Sequence, residues 1–98
     1  MNIEQVDLKK LTMAQLAAIV RANWFKISDG GRMYLSAMGQ LGDIAEAYYA
    51  DPGTEVVARF LCNATTWTGP VARQVKKELN RRLNVVRKAV SKGVNSGR

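Results

Sequence analysis

The chain has 98 residues and an apolar share of 47%, enough for one domain with its own core and too few for two. It carries a formal net charge of +7, no histidine and one cysteine, Cys62. That composition excludes an intramolecular disulfide, a zinc site built from cysteine and histidine, and histidine-based acid–base chemistry.

The lone thiol fits a reducing, cytoplasmic setting. The opening residues have no basic region followed by an apolar stretch, so no signal peptide is expected. No window of about 18 apolar residues is present to span a membrane. The charge is unevenly spread. Residues 70–98 hold a net +8, whereas residues 1–69 hold a net −1. Such asymmetry points to an anionic partner, most often nucleic acid or a membrane surface.

Taken in order, residues 1–10 show no period and are expected to be loose. Thr12 with Gln15 three positions on makes a capping-box pattern, and the apolar spacing of Met13, Leu16, Ala17, Val20 and Trp24 predicts a helix over 13–25. Ser28-Asp29-Gly30-Gly31 predicts a turn, with Ser28 or Asp29 capping the next helix. Tyr34, Ala37, Met38, Leu41, Ile44, Ala45 and Tyr48 then extend a helical stripe over 32–50. Gly39 and Gly42 fall inside it, which suggests a close helix crossing. Asp51-Pro52-Gly53 stops that helix.

Thr54 caps a third, over 55–65. Its Val56, Val57, Phe60, Leu61 and Ala64 leave few polar positions, which predicts a central, buried helix with Cys62 packed inside it. Trp67 in the connector is expected to fold back as a lid. Thr68 or Gly69 caps the last helix, and Pro70 suits its first turn. Val71, Val75, Leu79, Leu83, Val86 and Val90 share one seam, flanked by Ala72 and Ala89. Gly93 is the expected end of this helix, with residues 95–98 loose. No alternating strand pattern of useful length occurs. The expectation is a single all-α domain over 1–98, built of four helices and ending in a long, amphipathic, basic one.

No catalytic signature is present. The sequence lacks a P-loop and a dinucleotide fingerprint. Asp43 and Glu46 stand three apart on the expected second helix with Asp51 beyond. Paired carboxylates of that kind could bind a divalent ion, but they read more simply as an acidic solvent face that balances the basic helix. Cys62 has no base partner in view. The chain therefore reads as non-enzymatic, with no cofactor and no metal. A helix-turn-helix is disfavoured because the turn after the first helix comes late and the next helix is acidic beyond Arg32. A membrane-surface role is excluded because the core needs the apolar seam of the last helix.

The strongest signal lies opposite that seam. Arg73, Lys77, Arg81, Lys88 and Lys92 fall within about 100° of one another on a helical wheel, and Gln74 and Asn84 share the sector. A row of cations at this spacing can follow a phosphate backbone, since each charge displaces condensed counterions. Arg and Asn can also bond base edges. These five residues are the expected nucleic-acid contacts.

The stretches Tyr34-Leu35-x-Ala37-Met38, Phe60-Leu61-x-Asn63-Ala64, Trp67-x-Gly69 and Ala72-Arg73-x-x-Lys76-x-Glu78-Leu79, over about residues 33–83, resemble small helical proteins of bacteriophages and mobile elements. The resemblance implies no catalytic residues. It implies a binding role toward nucleic acid or a host protein, and it admits a phage-encoded inhibitor of host defence of the anti-CRISPR kind. A basic chain is a poor mimic of DNA, so such an inhibitor would dock on an acidic protein surface or on bound nucleic acid. The length of the last helix and the tyrosines at 48 and 49 leave room for a homodimer.

Overall fold

A computed structural model describes residues 7–42, 44, 47, 48 and 51–96, with the backbone alone at 47, 48, 51 and 89–96. A 3-10 turn, Leu8–Lys10, leads into helix α1 (Met13–Asn23) and helix α2 (Asp29–Met38). A two-residue ladder comes next, β1 (Ala47–Tyr48) antiparallel to β2 (Asp51–Pro52). Helix α3 (Gly53–Asn63) and the long helix α4 (Pro70–Ser96) complete the chain. The fold is all-α, as expected, with four α-helices among the described residues, the last of them long and basic.

Local sequence sets α1. The Thr12 hydroxyl accepts from the Gln15 N–H at 3.1 Å, and the Gln15 side chain accepts from the Thr12 N–H at 2.8 Å. This reciprocal pair satisfies two of the donors that every helix start leaves orphaned. The apolar spacing then turns Met13, Leu16, Ala17, Ile19 and Val20 inward. Trp24 caps the helix and is buried.

The α1–α2 connection departs from expectation. Gly30 and Gly31 do not form the turn; they lie in the first turn of α2, which Ser28 caps by accepting from the Gly31 N–H at 3.1 Å. The reason for glycine at 31 is close approach. A Cβ there would sit 2.7 Å from the buried Trp24 ring. The Ser28 hydroxyl also donates to the Asn63 carbonyl at 3.0 Å, tying the start of α2 to the end of α3.

Helix α2 ends at Met38, well short of the expected 50. Gln40 and Leu41 donate to the carbonyls three residues back, at 3.1 Å each, which tightens and closes the last turn. Glycine costs about 1 kcal/mol against alanine in a helix interior, and Gly39 and Gly42 together outweigh the apolar spacing. Leu41 and Ile44 are buried nonetheless, beyond the end of the helix. Asp43 and Glu46, expected on this helix, lie outside the described residues, as do Ala45 and Tyr49 and residues 1–6, 97 and 98.

Helix α3 buries Val56, Val57 and Phe60 with Gly53. These positions make one stripe, so α3 is amphipathic rather than apolar all round. Cys62, expected in the core, falls on the opposite side and is exposed. Pro52 precedes this helix and supplies no side-chain cap, so Thr54 lies inside the first turn.

One contiguous core draws on all four helices, with Phe60, Met13, Leu16, Leu35 and Leu79 among its fully buried side chains. Trp24 and Trp67 stack with centroids 5.9 Å apart at 17°, and Phe60 meets Trp24 edge-on at 6.2 Å. Trp67 is thus the lid its position suggested. Gly69, at φ 106°, turns the chain into α4 through backbone geometry that other residues rarely adopt. Its carbonyl accepts the Arg73 N–H at 3.0 Å. Helix α4 continues past Gly93 to Ser96, because a glycine ends a helix only where the backbone swings left-handed.

Candidate nucleic-acid interface

Helix α4 presents two faces of different character. Val75, Leu79 and Leu83 are buried as expected, joined by Ala72, while Val71 and Val86 are half-buried at the margins. The side chain of Val90 lies outside the described residues.

On the opposite face Arg73, Lys77, Arg81 and Lys88 are all exposed. Lys92 lies on the helix, but its side chain is outside the described residues. Arg73, Lys77 and Lys88 have no carboxylate partner among the described residues. Asn84 is exposed in the same sector, and Asn80 and Arg87 are exposed on its flank. From Arg73 to Lys88 the row runs about 22 Å at 1.5 Å per residue.

Arg81 is less free than the wheel suggests. It forms a two-pronged contact with Glu78, Nε to Oε1 at 2.8 Å and Nη2 to Oε2 at 2.7 Å. Its side chain remains 43% exposed. Glu78, the sole acid of the last third, is buried at the edge of the apolar seam. Arg82 reaches the same carboxylate at 2.6 Å. Its Nη2 donates to the carbonyls of Leu8 at 2.9 Å, Lys9 at 3.4 Å and Leu11 at 2.7 Å.

Arg82 is therefore a structural bracket that satisfies the end of the 3-10 turn and fastens it to α4. The hydrogen bonds from Arg81 hold the Glu78 carboxyl below its ordinary range. Burial pushes against them, and the bonds and charge of Arg82 add to the depression. The same bonds raise the Arg81 guanidinium further.

Lys76 is likewise committed to the fold. Its ammonium donates to the Trp67 carbonyl at 2.5 Å and lies 6.0 Å from the centroid of that ring. Burial lowers its pKa from the ordinary lysine value.

Lys9 and Lys10 carry no signal in the sequence that would join them to the row. Both are exposed on the turn that Arg82 holds. A groove of about 460 Å³ runs between the turn and α4, with Lys9 and Lys10 on one wall and Arg81 and Arg82 on the other. A neighbouring groove brings Lys9 to Lys77 and Arg81, with Asp7 at its rim. The basic row thus widens at its middle into a patch. Nothing in the local sequence places Lys9 beside Arg81, since the link runs through the long-range bonds of Arg82.

No His, Cys, Asp or Glu group able to hold a metal ion occurs among the described residues, and no described helix is long and apolar enough to cross a membrane. Neither a family model, nor a curated protein, nor a solved structure matches this chain.

Proposed function

We propose that this protein is a non-enzymatic binding protein that contacts nucleic acid, free or within a nucleoprotein complex, through the exposed basic face of α4. The observation that carries the reading is the row of Arg73, Lys77 and Lys88, open to solvent and in no ion pair with a carboxylate among the described residues. Cations four residues apart on a helix stand about 6 Å from one another, a spacing at which each can reach a separate phosphate. Arg81 contributes part of its charge from the middle of the row, and Lys92 extends the row along the helix.

Binding of this kind is driven by counterion release and is read in salt. Five phosphate contacts give a log–log slope near −4.5 and an affinity drop of roughly 500-fold between 50 and 200 mM salt on duplex DNA. Fluorescence anisotropy over that range measures both. Replacing Arg73, Lys77 and Lys88 together with Ala should flatten the slope by nearly three units and leave the melting temperature in place. Absence of binding to any DNA or RNA at low salt would falsify the reading.

A second reading is that the protein docks on a host protein, as a phage inhibitor of host defence would. Phe25, at 88% exposure, is the observation in its favour, since a large exposed aromatic is a common anchor at protein interfaces. Capture of a host protein from nuclease-treated lysate, lost in Phe25→Ala and kept in the triple α4 variant, would favour it over nucleic acid.

A further inference from the structure

The side chains around the row distinguish one form of nucleic acid from another. Faces that bind single strands offer aromatic rings on which successive bases stack. Helix α4 contains no aromatic residue. Among the described side chains, Trp24, Phe60 and Trp67 are buried in the core and Tyr34 packs half-buried against it. Phe25, the exposed aromatic among the described residues, sits on the α1–α2 connection and borders neither basic groove. Over residues 73–88 α4 exposes cations, the amides of Asn80 and Asn84, and Val85. Such groups suit a ligand whose bases are already stacked and which offers phosphates and base edges instead.

The shape of the face narrows the choice again. Lys77, Asn84 and Lys88 lie along the middle of the exposed arc, and the Asn84 amide has no partner within the described protein. Arg87 stands on one flank. Lys9 and Lys10 stand on the other, held there by Arg82. A helix with its side chains is about 10–12 Å across. The major groove of B-form DNA is about 12 Å wide, whereas the major groove of A-form RNA is too deep and narrow for side chains to read.

We infer that the partner is double-stranded B-form DNA, with α4 in the major groove and Lys9 and Lys10 gripping phosphates of one flanking strand. This rests on the proposed nucleic-acid role and adds to it the form of the ligand and a second contact element. Asn84, at the centre of the arc, faces the floor of the groove, where an amide can pair with an adenine edge. The lysines of the 3-10 turn carry no sequence information and set only position and strength.

The test compares duplex DNA, single-stranded DNA and duplex RNA of one length and equivalent sequence, by anisotropy between about 50 and 200 mM salt. Duplex DNA is expected to bind at least tenfold more tightly than either alternative. The double variant Lys9→Ala/Lys10→Ala should keep its melting temperature and lose about 1.8 from the salt slope, equally on every duplex sequence. Lys26→Ala/Arg32→Ala removes the same charge from exposed positions elsewhere and should leave the slope unchanged. Single-stranded DNA or duplex RNA binding as tightly as duplex DNA overturns the inference, and so does an unaltered slope in the Lys9/Lys10 variant. Either result leaves the broader nucleic-acid role standing. Failure to bind all three ligands removes both.

Discussion

Arg73 and Arg82 carry the same guanidinium on opposite sides of one helix, and the fold uses them in opposite ways. The side chain of Arg82 is 12% exposed and is bonded to a carboxylate and to three backbone carbonyls. Arg73 is exposed and has no ion-pair partner among the described residues. What differs is the company that the rest of the chain brings to each side. A guanidinium removed from water needs its charge compensated and its donors satisfied. Glu78 and the end of the 3-10 turn do this for Arg82, with a planar, forked geometry that lysine would not match. A count of basic residues thus overstates the charge available to a partner. Arg82 and Lys76 belong to the fold, Arg81 is divided, and Arg73, Lys77 and Lys88 are free.

The contrast breaks first at Arg82. Arg82→Ala should lower stability by about 3–5 kcal/mol, because it opens the end of the 3-10 turn and removes one partner of a buried pair. In a domain of this size each kcal/mol moves the melting temperature by roughly 4–8 °C, so calorimetry or thermal circular dichroism resolves it. A loss under about 1 kcal/mol would mean that Arg82 is as free as Arg73.

Leu79→Ala should cost about 2–5 kcal/mol, since Leu79 is fully buried and its loss leaves a cavity in the seam. A neutral result in denaturant titration would show that the core side of α4 is placed wrongly.

Glu78→Gln should cost about 1.5–3 kcal/mol at neutral pH through weaker charged hydrogen bonds, and the loss should depend on pH. The folded carboxyl is held below its ordinary value, chiefly by the Arg81 bonds. Its contribution is therefore complete above the unfolded value of roughly 4.3 and is lost as pH falls through the lower folded value. The gap between wild type and Glu78→Gln should be level near neutrality and close on the acid side. A gap that stays open in strong acid would show that the carboxylate charge is not what holds the bracket.

Arg73→Ala should change stability by no more than about 0.5 kcal/mol and take about 0.9 from the salt slope of DNA binding. A large stability loss would place Arg73 in the fold and remove it from the row.

The elements differ in how far their residues announce them. Helix α1 is legible almost to the residue, because the Thr12–Gln15 box and the spacing from Met13 to Trp24 are local and agree. The seam of α4 is legible for the same reason. Over 39–50 two local signals conflict: Leu41, Ile44 and Tyr48 keep helical spacing, while Gly39 and Gly42 weaken the helix between them. Burial of Leu41 and Ile44 needs no helix, and Tyr48 lies in the β1–β2 ladder instead. Cys62 is misplaced by sequence alone because a composition rich in apolar residues hides the stripe of Val56, Val57 and Phe60 that leaves it outside.

The sequence by itself determined the helical class, the capping of α1, the inward face of α4 and the concentration of positive charge on the other face. Each rests on short-range spacing and on the cost of leaving apolar surface in water. Only the tertiary structure decided which cations remain available and which neighbours they have. Arg81 and Arg82 adjoin in sequence and share Glu78, yet one stays half in solvent while the other disappears under the 3-10 turn. Lys9 and Lys10 join the patch because Arg82 binds carbonyls about seventy positions away. Charge is read from composition, but its exposure depends on contacts between distant segments, and those exist only once the chain has folded.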